Sequence, residues 1–430
     1  MQTSKQRSIA VIGLGFVGLP LCQLFLQNGY TVHGIDVDEA KLKNISQGYS
    51  NNPDVDNSYL TQCVNENRFY LHETGKGVTD AEAILICVPT PLTNKGEPDL
   101  KFVNKAITNI MPYLKPYQLI SLESTTYPGT TEELILPKLK EKGFQVGDDI
   151  FLAYSPERIN PGSDIPLSEI PKVVGGMTPN CLEKASLIYQ SVFDEVCKVS
   201  STRAAEMTKI LENTQRFINI SFINDFAILC GKMDIDVHEV IDAASTKPYG
   251  FTRYTPGAGI GGHCIPIDPM YLSWKAKEYN HETPFIKIAD EINKLMPTYV
   301  ANKIKDYLLA KANKPSPSVL LIGVAYKKDV NDVRESSALP IMKYLLADGI
   351  QVDYFDSYVP SVYVDSKEYH SINETSLPSS NYDVAIVLTE HSNIPYEKIF
   401  SFVSDVIDLR HLFFHTSNDP KKNRNRNKDV

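Results

Sequence analysis

The chain has 430 residues, enough for two or three domains, because single hydrophobic cores rarely grow beyond about 250–300 residues. Its composition, 42% hydrophobic and 22% charged, is that of a globular protein. The net charge of −9 argues against a protein dedicated to nucleic acid, which would carry a basic face. No run approaches the ~18 consecutive apolar residues that a membrane helix needs, so we expect no membrane partner.

The seven cysteines are scattered, and none forms a C-x-x-C pair. The sequence therefore predicts neither a metal site nor a disulfide framework. Residues 1–7 are polar and precede an apolar strand, which is not the pattern of a signal peptide. Together these features predict a reducing, cytoplasmic location.

The first 36 residues follow the order strand, glycine-rich turn, helix, strand and acid. The strands are predicted at Ser8–Ile12 and Thr31–Ile35, and the helix ends near Asn28. Between them lies the G-x-G-x-x-G turn of residues 13–18, and this context makes the motif a strong dinucleotide-binding signature.

Each fingerprint residue has a physical role. Gly13 and Gly15 allow a tight turn and let backbone N–H groups approach a pyrophosphate, while Gly18 lets the helix pack closely on the strand. The helix N-terminus favours phosphate binding. Asp36, 18 residues past Gly18, is placed to accept hydrogen bonds from ribose hydroxyls, which predicts NAD rather than NADP.

Three further strands are predicted at 83–88, 119–122 and 150–154, each followed by a polar or proline-rich loop. Open α/β sheets bind ligands at such carboxyl ends of strands. We expect residues 1–200 to form one doubly wound domain.

An apolar rhythm of helical period runs over residues 203–232. A helix of that length spans roughly 45 Å, so it either bridges two domains or carries a dimer interface. Helical patterns continue at 237–244, 271–279 and 284–309, which predicts an all-helical middle region over residues 201–312.

A Pro/Ser-rich stretch at 314–318 marks a domain boundary. The domain that begins there, assigned to residues 313–415, shows a second α/β pattern. Strands are predicted at 319–322, 352–355, 384–388 and 403–407, with a helix at 336–346. The turn at Gly323 lacks the full glycine fingerprint, so a nucleotide-type ligand and a purely structural repeat both stay open. The basic tail, residues 416–430, is predicted to be disordered.

Lys209 and Asn213 stand four residues apart on the long helix and hence on one face. Two donors there can stabilise an alkoxide or a tetrahedral oxyanion. The alternative is a surface lysine beside an unrelated amide.

Cys264 follows a glycine-rich stretch, residues 257–262. A thiol beside a hydride acceptor can hold an aldehyde as a thiohemiacetal, which is oxidised again to a thioester. If the chain turned helical from Ile265, the thiol would sit at a helix N-terminus, which lowers its pKa. The alternative is a small buried hydrophobe in a tight turn.

Three other polar residues lie in site-like places. Asp268 is either a general base or the initiator of a turn before Pro269. Thr125 and Glu157 follow predicted strands, where they can order the water that cleaves a thioester or simply bond within their loops.

In this order, the motifs resemble the nucleotide-sugar 6-dehydrogenases, the family that oxidises UDP-glucose, UDP-N-acetylglucosamine and UDP-N-acetylmannosamine. The resemblance covers residues 8–410, and its matching stretches are 12–20, 87–91, 124–125, 155–162, 206–213, 259–266 and 323–336. It implies two Rossmann-like domains joined by a long central helix, a homodimer formed through that helix, and two NAD-dependent oxidations at C6 of a UDP-sugar for polysaccharide precursors.

The resemblance also implies roles for individual residues. The catalytic residues it implies are Cys264, Lys209, Asn213, Asp268, Glu157 and Thr125. Those expected at the cofactor are Gly13, Gly15, Phe16, Val17, Gly18, Asp36, Lys41, Thr90, Thr125 and Arg334. Those expected at the sugar nucleotide are Glu157, Arg158, Lys209, Asn213, Arg253, Tyr254, Gly257, Gly261 and Lys327.

Two departures bear on the sugar. UDP-glucose enzymes of the family usually carry an acid where this chain has Pro161, and a lysine where it has Ile267. Loss of an acid makes room for an acetamido group, which favours UDP-N-acetylglucosamine over UDP-glucose, with the mannosamine and galactosamine analogues as further alternatives. A two-electron dehydrogenase using Lys209 and a non-enzymatic nucleotide sensor are the competing hypotheses.

Overall fold

The computed structural model describes residues 7–50, 52, 54–159, 165–262, 264–311, 317–373, 382–403 and 405–408. The chain forms two compact units. The first combines Met1–Asn213 with Ile267–Glu282, and the second combines Thr214–Pro266 with Thr283–Val430. Pro161 and the tail 416–430 lie outside the described residues.

The strands are β1 Ser8–Ile12, β2 Thr31–Ile35, β3 Phe69–His72, β4 Ala83–Ile86, β5 Leu119–Leu122, β6 Phe151–Tyr154, β7 Lys172–Gly176, β8 Val196–Val199, β9 Ser318–Ile322, β10 Gln351–Phe355, β11 Ser361–Val364, β12 Lys367–His370, β13 Val384–Val387 and β14 Val406–Asp408.

The α-helices are α1 Gly18–Gln27, α2 Glu39–Ser46, α3 Asn57–Asn65, α4 Lys101–Ile110, α5 Leu136–Glu141, α6 Pro179–Tyr189, α7 Thr202–Lys232, α8 Val237–Ser245, α9 Asp268–Ala276, α10 Pro284–Lys311, α11 Ala338–Ala347 and α12 Tyr396–Phe400. Short 3₁₀ segments lie at Gly75–Asp80, Met111–Tyr113, Leu167–Glu169 and Lys277–Tyr279, and a π-helical turn at Thr131–Ile135 precedes α5.

The first unit is built on a sheet of order β3-β2-β1-β4-β5-β6-β7-β8. The first six strands run parallel, and β7 pairs antiparallel with β6. Their order, 3-2-1-4-5-6, is that of dinucleotide-binding sheets. Along β1, Ile9 and Val11 pack on one face of the sheet and Ala10 and Ile12 on the other, so apolar layers cover both faces. The predicted doubly wound α/β fold is confirmed.

The second unit contains a smaller parallel sheet of order β10-β9-β13-β14 and a β11–β12 hairpin. Val319 and Leu321 of β9 face one apolar cluster, and Leu320 and Ile322 face another, so this sheet is also buried on both faces. The predicted α/β pattern after residue 317 is therefore present, together with a hairpin that the sequence did not suggest.

The long helix α7 has 31 residues, which corresponds to about 46 Å. It begins one residue before the predicted position, while α10 continues through Pro297 to Lys311. No helix in the described part of the chain is long and apolar enough to cross a membrane.

Candidate active site

The turn after β1 requires glycine at two positions. Gly13 has φ +92°, and a Cβ there would lie 2.7 Å from the carbonyl oxygen of Cys87. A Cβ on Gly18 would lie 2.0 Å from the carbonyl oxygen of Gly13. Side chains at these positions would collide with backbone, so both glycines keep the turn tight against β4 and α1.

Gly15 differs, because a Cβ there would meet no described atom within 4 Å. Phe16 and Val17 follow, and α1 begins at Gly18 without an acidic residue in its first turn. An open backbone face beside a helix N-terminus fits a pyrophosphate, since its N–H groups can donate to phosphate oxygens.

Asp36 ends β2 beside this turn and is 7% exposed. Its Oδ2 accepts from the Leu14 amide at 2.9 Å and from Lys41 Nζ at 2.7 Å. The predicted cofactor residues Asp36 and Lys41 therefore form a pair at the glycine turn. The carboxylate fits the hydroxyls of a ribose better than a phosphate, which it would repel.

The sheet order reverses between β1 and β4, and such switch points create the crevice in which open sheets bind ligands. Thr90 lies on the loop after β4, and its hydroxyl donates to the carbonyl of Thr125 at 2.7 Å. Two residues predicted at the cofactor therefore meet at the switch point.

Lys209, Asn213 and Asp268 form a buried cluster in the first unit, each no more than 9% exposed. Lys209 and Asn213 lie one turn apart on α7, and Asp268 is the first residue of α9. Asn213 Nδ2 donates to Asp268 Oδ2 at 2.5 Å. Three polar side chains that the sequence singled out separately are thus brought together.

Burial raises the pKa of Asp268 from 3.8 to about 6, against the opposing effects of the Lys209 charge and the Asn213 hydrogen bond. A carboxyl group titrating near neutral pH suits general-base catalysis. The cluster therefore offers an acceptor for a proton and, in Lys209, a cation for a developing oxyanion.

Tyr271, which sequence reasoning missed, anchors α9 to the switch-point loop. Its hydroxyl contacts the carbonyl oxygens of Thr90 at 2.7 Å and Pro91 at 3.1 Å. One tyrosine in a helical pattern gives no sign of such a role, which depends on contacts 180 residues apart along the chain.

No role was predicted for Glu206 from the sequence, although it lies one turn before Lys209 on α7. Its carboxylate accepts from the amides of Gly129 at 2.5 Å and Thr131 at 2.9 Å, and from the Thr131 hydroxyl at 2.7 Å. Burial raises its pKa to about 7. It attaches the segment that follows Thr125 to α7.

Glu157 lies just after β6 and is buried. Its Oε1 accepts from the amides of Arg158 and Ile159, both at 2.6 Å. Arg158 in turn pairs with Glu212 of α7 at 2.7 Å. The structure therefore fixes the predicted Glu157–Arg158 pair against the helix that carries Lys209.

In the second unit, two asparagines anchor the glycine-rich turn of residues 257–262. The Gly257 amide donates to Asn224 Oδ1 at 2.8 Å, and the Ile260 amide donates to Asn293 Oδ1 at 2.6 Å. Asn224 belongs to α7 and Asn293 to α10. The turn is thereby fixed on two helices.

The same turn packs against the segment that carries Lys327 and Arg334. A Cβ on Gly261 would lie 2.8 Å from the Glu335 carbonyl oxygen, and the Gly262 amide donates to the Arg334 carbonyl at 3.2 Å. The contact requires glycine and places Arg334 beside the stretch that leads to Cys264.

Cys264 is exposed, which rules out the buried-hydrophobe interpretation. The condition for placing Cys264 at a helix N-terminus, a helix that starts at Ile265, is not met, since residues 265–267 form a turn and α9 begins at Asp268. The two prolines at 266 and 269 agree with this late start, because the residue before a proline disfavours helix.

The remaining predicted substrate residues also lie in the second unit. Arg253 pairs with Asp242 at 2.6 Å, the Tyr254 hydroxyl donates to Gln215 at 3.3 Å, and Lys327 is half-buried. Arg334, which was predicted at the cofactor, also lies in this unit. Its guanidinium contacts both carboxylate oxygens of Asp332, which raises the pKa of Arg334.

The second unit repeats the acid after its second strand, but with different partners. Asp356 follows β10 and accepts from four backbone amides, those of Val324, Ala325, Tyr358 and Val359. Its Oδ2 also lies 3.1 Å from Nε2 of the buried His391. This carboxylate is thus committed to holding its own loops.

Comparisons with known proteins cover most of the chain. Residues 7–193, 203–295 and 320–414 match the NAD binding, central and UDP binding domains of the UDP-glucose/GDP-mannose dehydrogenase family. The first match includes the glycine turn and Asp36, the second Lys209 and Cys264, and the third Lys327 and Arg334.

Individual relatives match this chain over most of its length. Protein CapL of Staphylococcus aureus is 38% identical over 81% of this chain and 82% of its own. UDP-N-acetyl-D-glucosamine 6-dehydrogenase of Pseudomonas aeruginosa is 35% identical over 90% of this chain and 91% of its own. The solved structure of a UDP-D-ManNAc dehydrogenase from Pyrococcus horikoshii is 29% identical, with a TM-score of 0.84 over 96% of this chain and 97% of that one.

A match of all three domains and a relative 35% identical over nine-tenths of the chain establish the family and its cofactor. The chain therefore belongs to the UDP-glucose/GDP-mannose dehydrogenase family and is an NAD-dependent oxidoreductase.

Proposed function

We propose that this chain oxidises the C6 hydroxyl of UDP-N-acetylglucosamine to a carboxylate, using two NAD⁺ and one water. The observation that carries the four-electron reaction is the exposure of Cys264, which follows the anchored turn of residues 257–262, whereas five of the other six cysteines are buried. An accessible thiol is what distinguishes a route through a thioester from a simple alcohol oxidation.

In the first half, the C6 hydroxyl loses its proton to Asp268, directly or through a water, while Lys209 and Asn213 stabilise the alkoxide. Bound NAD⁺ supplies the hydride acceptor for C6 in each of the two oxidations. Cys264 then adds to the aldehyde carbon, forming a C–S bond and placing the proton on the former carbonyl oxygen.

In the second half, the thiohemiacetal hydroxyl loses its proton as C6 loses its second hydride, which leaves an acyl group on Cys264. Water, ordered by Thr125 and deprotonated by Glu157, adds to the acyl carbon, and the C–S bond breaks to release the thiolate. The balance is one alcohol, two NAD⁺ and one water in, and one carboxylate, two NADH and three protons out.

The choice of sugar rests on the residues near the predicted site. Pro161 and Ile267 stand where UDP-glucose enzymes of the family carry charged groups, and Ile267 is half-buried. Relatives named for both the N-acetylglucosamine and N-acetylmannosamine sugars support an acetamido substituent at C2. UDP-N-acetylmannosamine is thus the second candidate.

Purified protein incubated with NAD⁺ and each of four UDP-sugars tests this proposal. We expect UDP-N-acetylglucosamine to give the largest kcat/KM, with two NADH per sugar consumed and a uronate by mass spectrometry. One NADH per sugar with aldehyde as the sole product would reject the four-electron mechanism. Reaction with UDP-glucose alone would reject the interpretation of Pro161.

We also propose a homodimer formed through α7. Leu211, Phe222 and Leu229 are each more than half exposed and recur at intervals of 11 and 7 residues, so they share one face of the helix. An apolar face of this kind suits a symmetric contact with a second copy.

For a dimer we expect light scattering to give a mass in solution of twice 48.1 kDa. Phe222→Glu should shift the protein to monomer, because it places a charge in the contact, whereas Leu309→Glu, at an exposed leucine of α10, should not. A monomeric parent protein would contradict the proposal.

The proposed domain division is 1–200 for NAD, 201–312 for the helical middle and 313–415 for the UDP-sugar, and the ranges of the three family models support it. All seven cysteines lie in the described residues without a disulfide, which supports a reducing cytoplasmic location.

A further inference from the structure

Lys172 is a buried lysine that lies between two glutamates in the first unit. It is the first residue of β7, and its side chain is 4% exposed. Its Nζ donates to Glu123 Oε2 at 2.5 Å and lies 3.7 Å from Glu157 Oε2. A lysine is almost never buried unless it is paired, so this position calls for an explanation.

Glu123 is the fixed partner of this lysine. Besides Lys172, its carboxylate accepts from the hydroxyls of Tyr189 and Ser121, the latter at 3.1 Å. The hydroxyl oxygens of Tyr189 and Ser121 lie 2.8 Å apart. All of these groups are buried, so Glu123 is bonded on both oxygens within the core and anchors Lys172.

Glu157 is held differently on its two oxygens. Its Oε1 accepts two backbone amides, but its buried Oε2 has no hydrogen-bond donor among the described residues. The only cation recorded beside that oxygen in the described part of the chain is Lys172. Lys172 is therefore the cationic neighbour of this buried oxygen.

Electrostatics agree with an ammonium at this position. Burial alone would lower the pKa of Lys172, but the charges of Glu123 and Glu157 outweigh it and raise that pKa. One protonated lysine thus serves two buried carboxylates, and removal of such a shared partner leaves uncompensated buried charge.

We propose that Lys172 is a positioning residue for thioester hydrolysis, whose ammonium, 3.7 Å from Glu157 Oε2, holds that oxygen in place toward the attacking water. This inference rests on the proposed function. In the step concerned, a proton passes from water to Glu157, the water oxygen bonds to the acyl carbon, and the C–S bond to Cys264 breaks with release of the thiolate. Lys172 is assigned an effect on this step only through Glu157.

The test is Lys172→Met, which removes the charge and retains most of the volume. With NAD⁺ and UDP-N-acetylglucosamine, we expect a rapid burst of two NADH per active site, followed by turnover slowed on the order of 10²-fold, as for loss of a general base. Intact-mass spectrometry should detect the acyl group accumulating on the chain. Lys172→Arg should restore most of the turnover.

Lys275→Met is the matched control. Lys275 is 5% exposed and also bridges two glutamates, Glu133 at 2.8 Å and Glu278 at 2.7 Å, but neither of these is assigned to hydrolysis. Its loss should lower the melting temperature without accumulation of the acyl enzyme. Accumulation in this control too would assign the effect to general destabilisation and overturn the proposal.

A double variant, Lys172→Met with Glu123→Gln, separates positioning from charge balance. It removes one positive and one negative charge, so it should fold even if Lys172→Met does not. We expect hydrolysis to stay slow in this double variant. Restored hydrolysis would show that Lys172 only balances the charge of Glu123. If the parent protein yields only one NADH per sugar, the proposed function itself fails, whereas unimpaired hydrolysis in Lys172→Met rejects only the role of Lys172.

Discussion

Cys264→Ser should abolish production of the uronate while NAD⁺ still binds. The serine hydroxyl is a far weaker nucleophile than a thiolate, and an ester would release its alkoxide less readily than a thioester releases a thiolate. We expect the rate of acid formation to fall by a factor on the order of 10³ or more, as when other covalent nucleophiles are removed. NADH production at 340 nm and product mass measure the loss.

Cys197→Ser provides the control, since Cys197 is the other exposed cysteine of this chain. Iodoacetamide should inactivate the parent and the Cys197→Ser protein equally, and UDP-N-acetylglucosamine should protect both. Full activity of Cys264→Ser, or indifference of the parent to alkylation, would favour the two-electron dehydrogenase with Lys209 as its acid and base.

Asp268→Asn should lose activity and gain stability at the same time. As the proposed base, Asp268 must be ionised, so the parent's kcat/KM should fall as the pH drops below about 6. The amide cannot accept the proton, and we expect a loss of about 10²–10⁴-fold with no limb near pH 6.

The stability effect has a defined sign. The folded-state pKa of about 6 lies above the ordinary 3.8, so the folded state binds more protons between these values. The stabilising contribution of the Asp268 carboxyl to the free energy of unfolding is therefore largest below pH 3.8, and it is lost as the pH rises through 6. Above that, the ionised carboxyl costs about 3 kcal/mol, which asparagine avoids.

Thermal melts at pH 5 and pH 8 check this expectation. Asp268→Asn should melt higher than the parent at pH 8, and the difference should shrink at pH 5. Glu206→Gln is the control for the activity profile only, because burial also raises the pKa of Glu206. The substitution weakens the bonds to Gly129 and Thr131, but the activity limb near pH 6 should remain. An Asp268→Asn protein that is less stable than the parent at pH 8 would contradict the burial argument.

Local patterns predicted much of the fold. The strands β1, β2 and β5 have the predicted bounds, because short apolar runs flanked by glycine or polar loops leave few alternatives. Strands β7 and β8 were missed: β7 carries a lysine and two glycines, and the two central residues of β8, a cysteine and a lysine, are both exposed. Their pairing depends on contacts between distant segments.

For the candidate site, the sequence supplied residue types but not their partners. Lys209, Asn213 and Asp268 were each recognisable, yet their meeting depends on the first turn of α9 reaching α7, 55 residues away along the chain. Lys172 and Tyr271 left no local signal, since a lysine before two valines and a tyrosine within a helix are common. The start of α9 was predicted at residue 271 rather than 268, because Pro269 lies in the first turn, where proline is tolerated instead of breaking the helix.

The acids that follow the second strand of each sheet, Asp36 and Asp356, differ in their hydrogen-bond partners. Asp36 accepts from two amides and from Lys41 beside the glycine turn, whereas Asp356 accepts from four amides and lies next to a histidine. A side chain already saturated in this way has no capacity left to recognise an adenosine ribose. The acid after β10 is thus bonded differently from the acid after β2, and we expect the second sheet to bind its ligand through other groups.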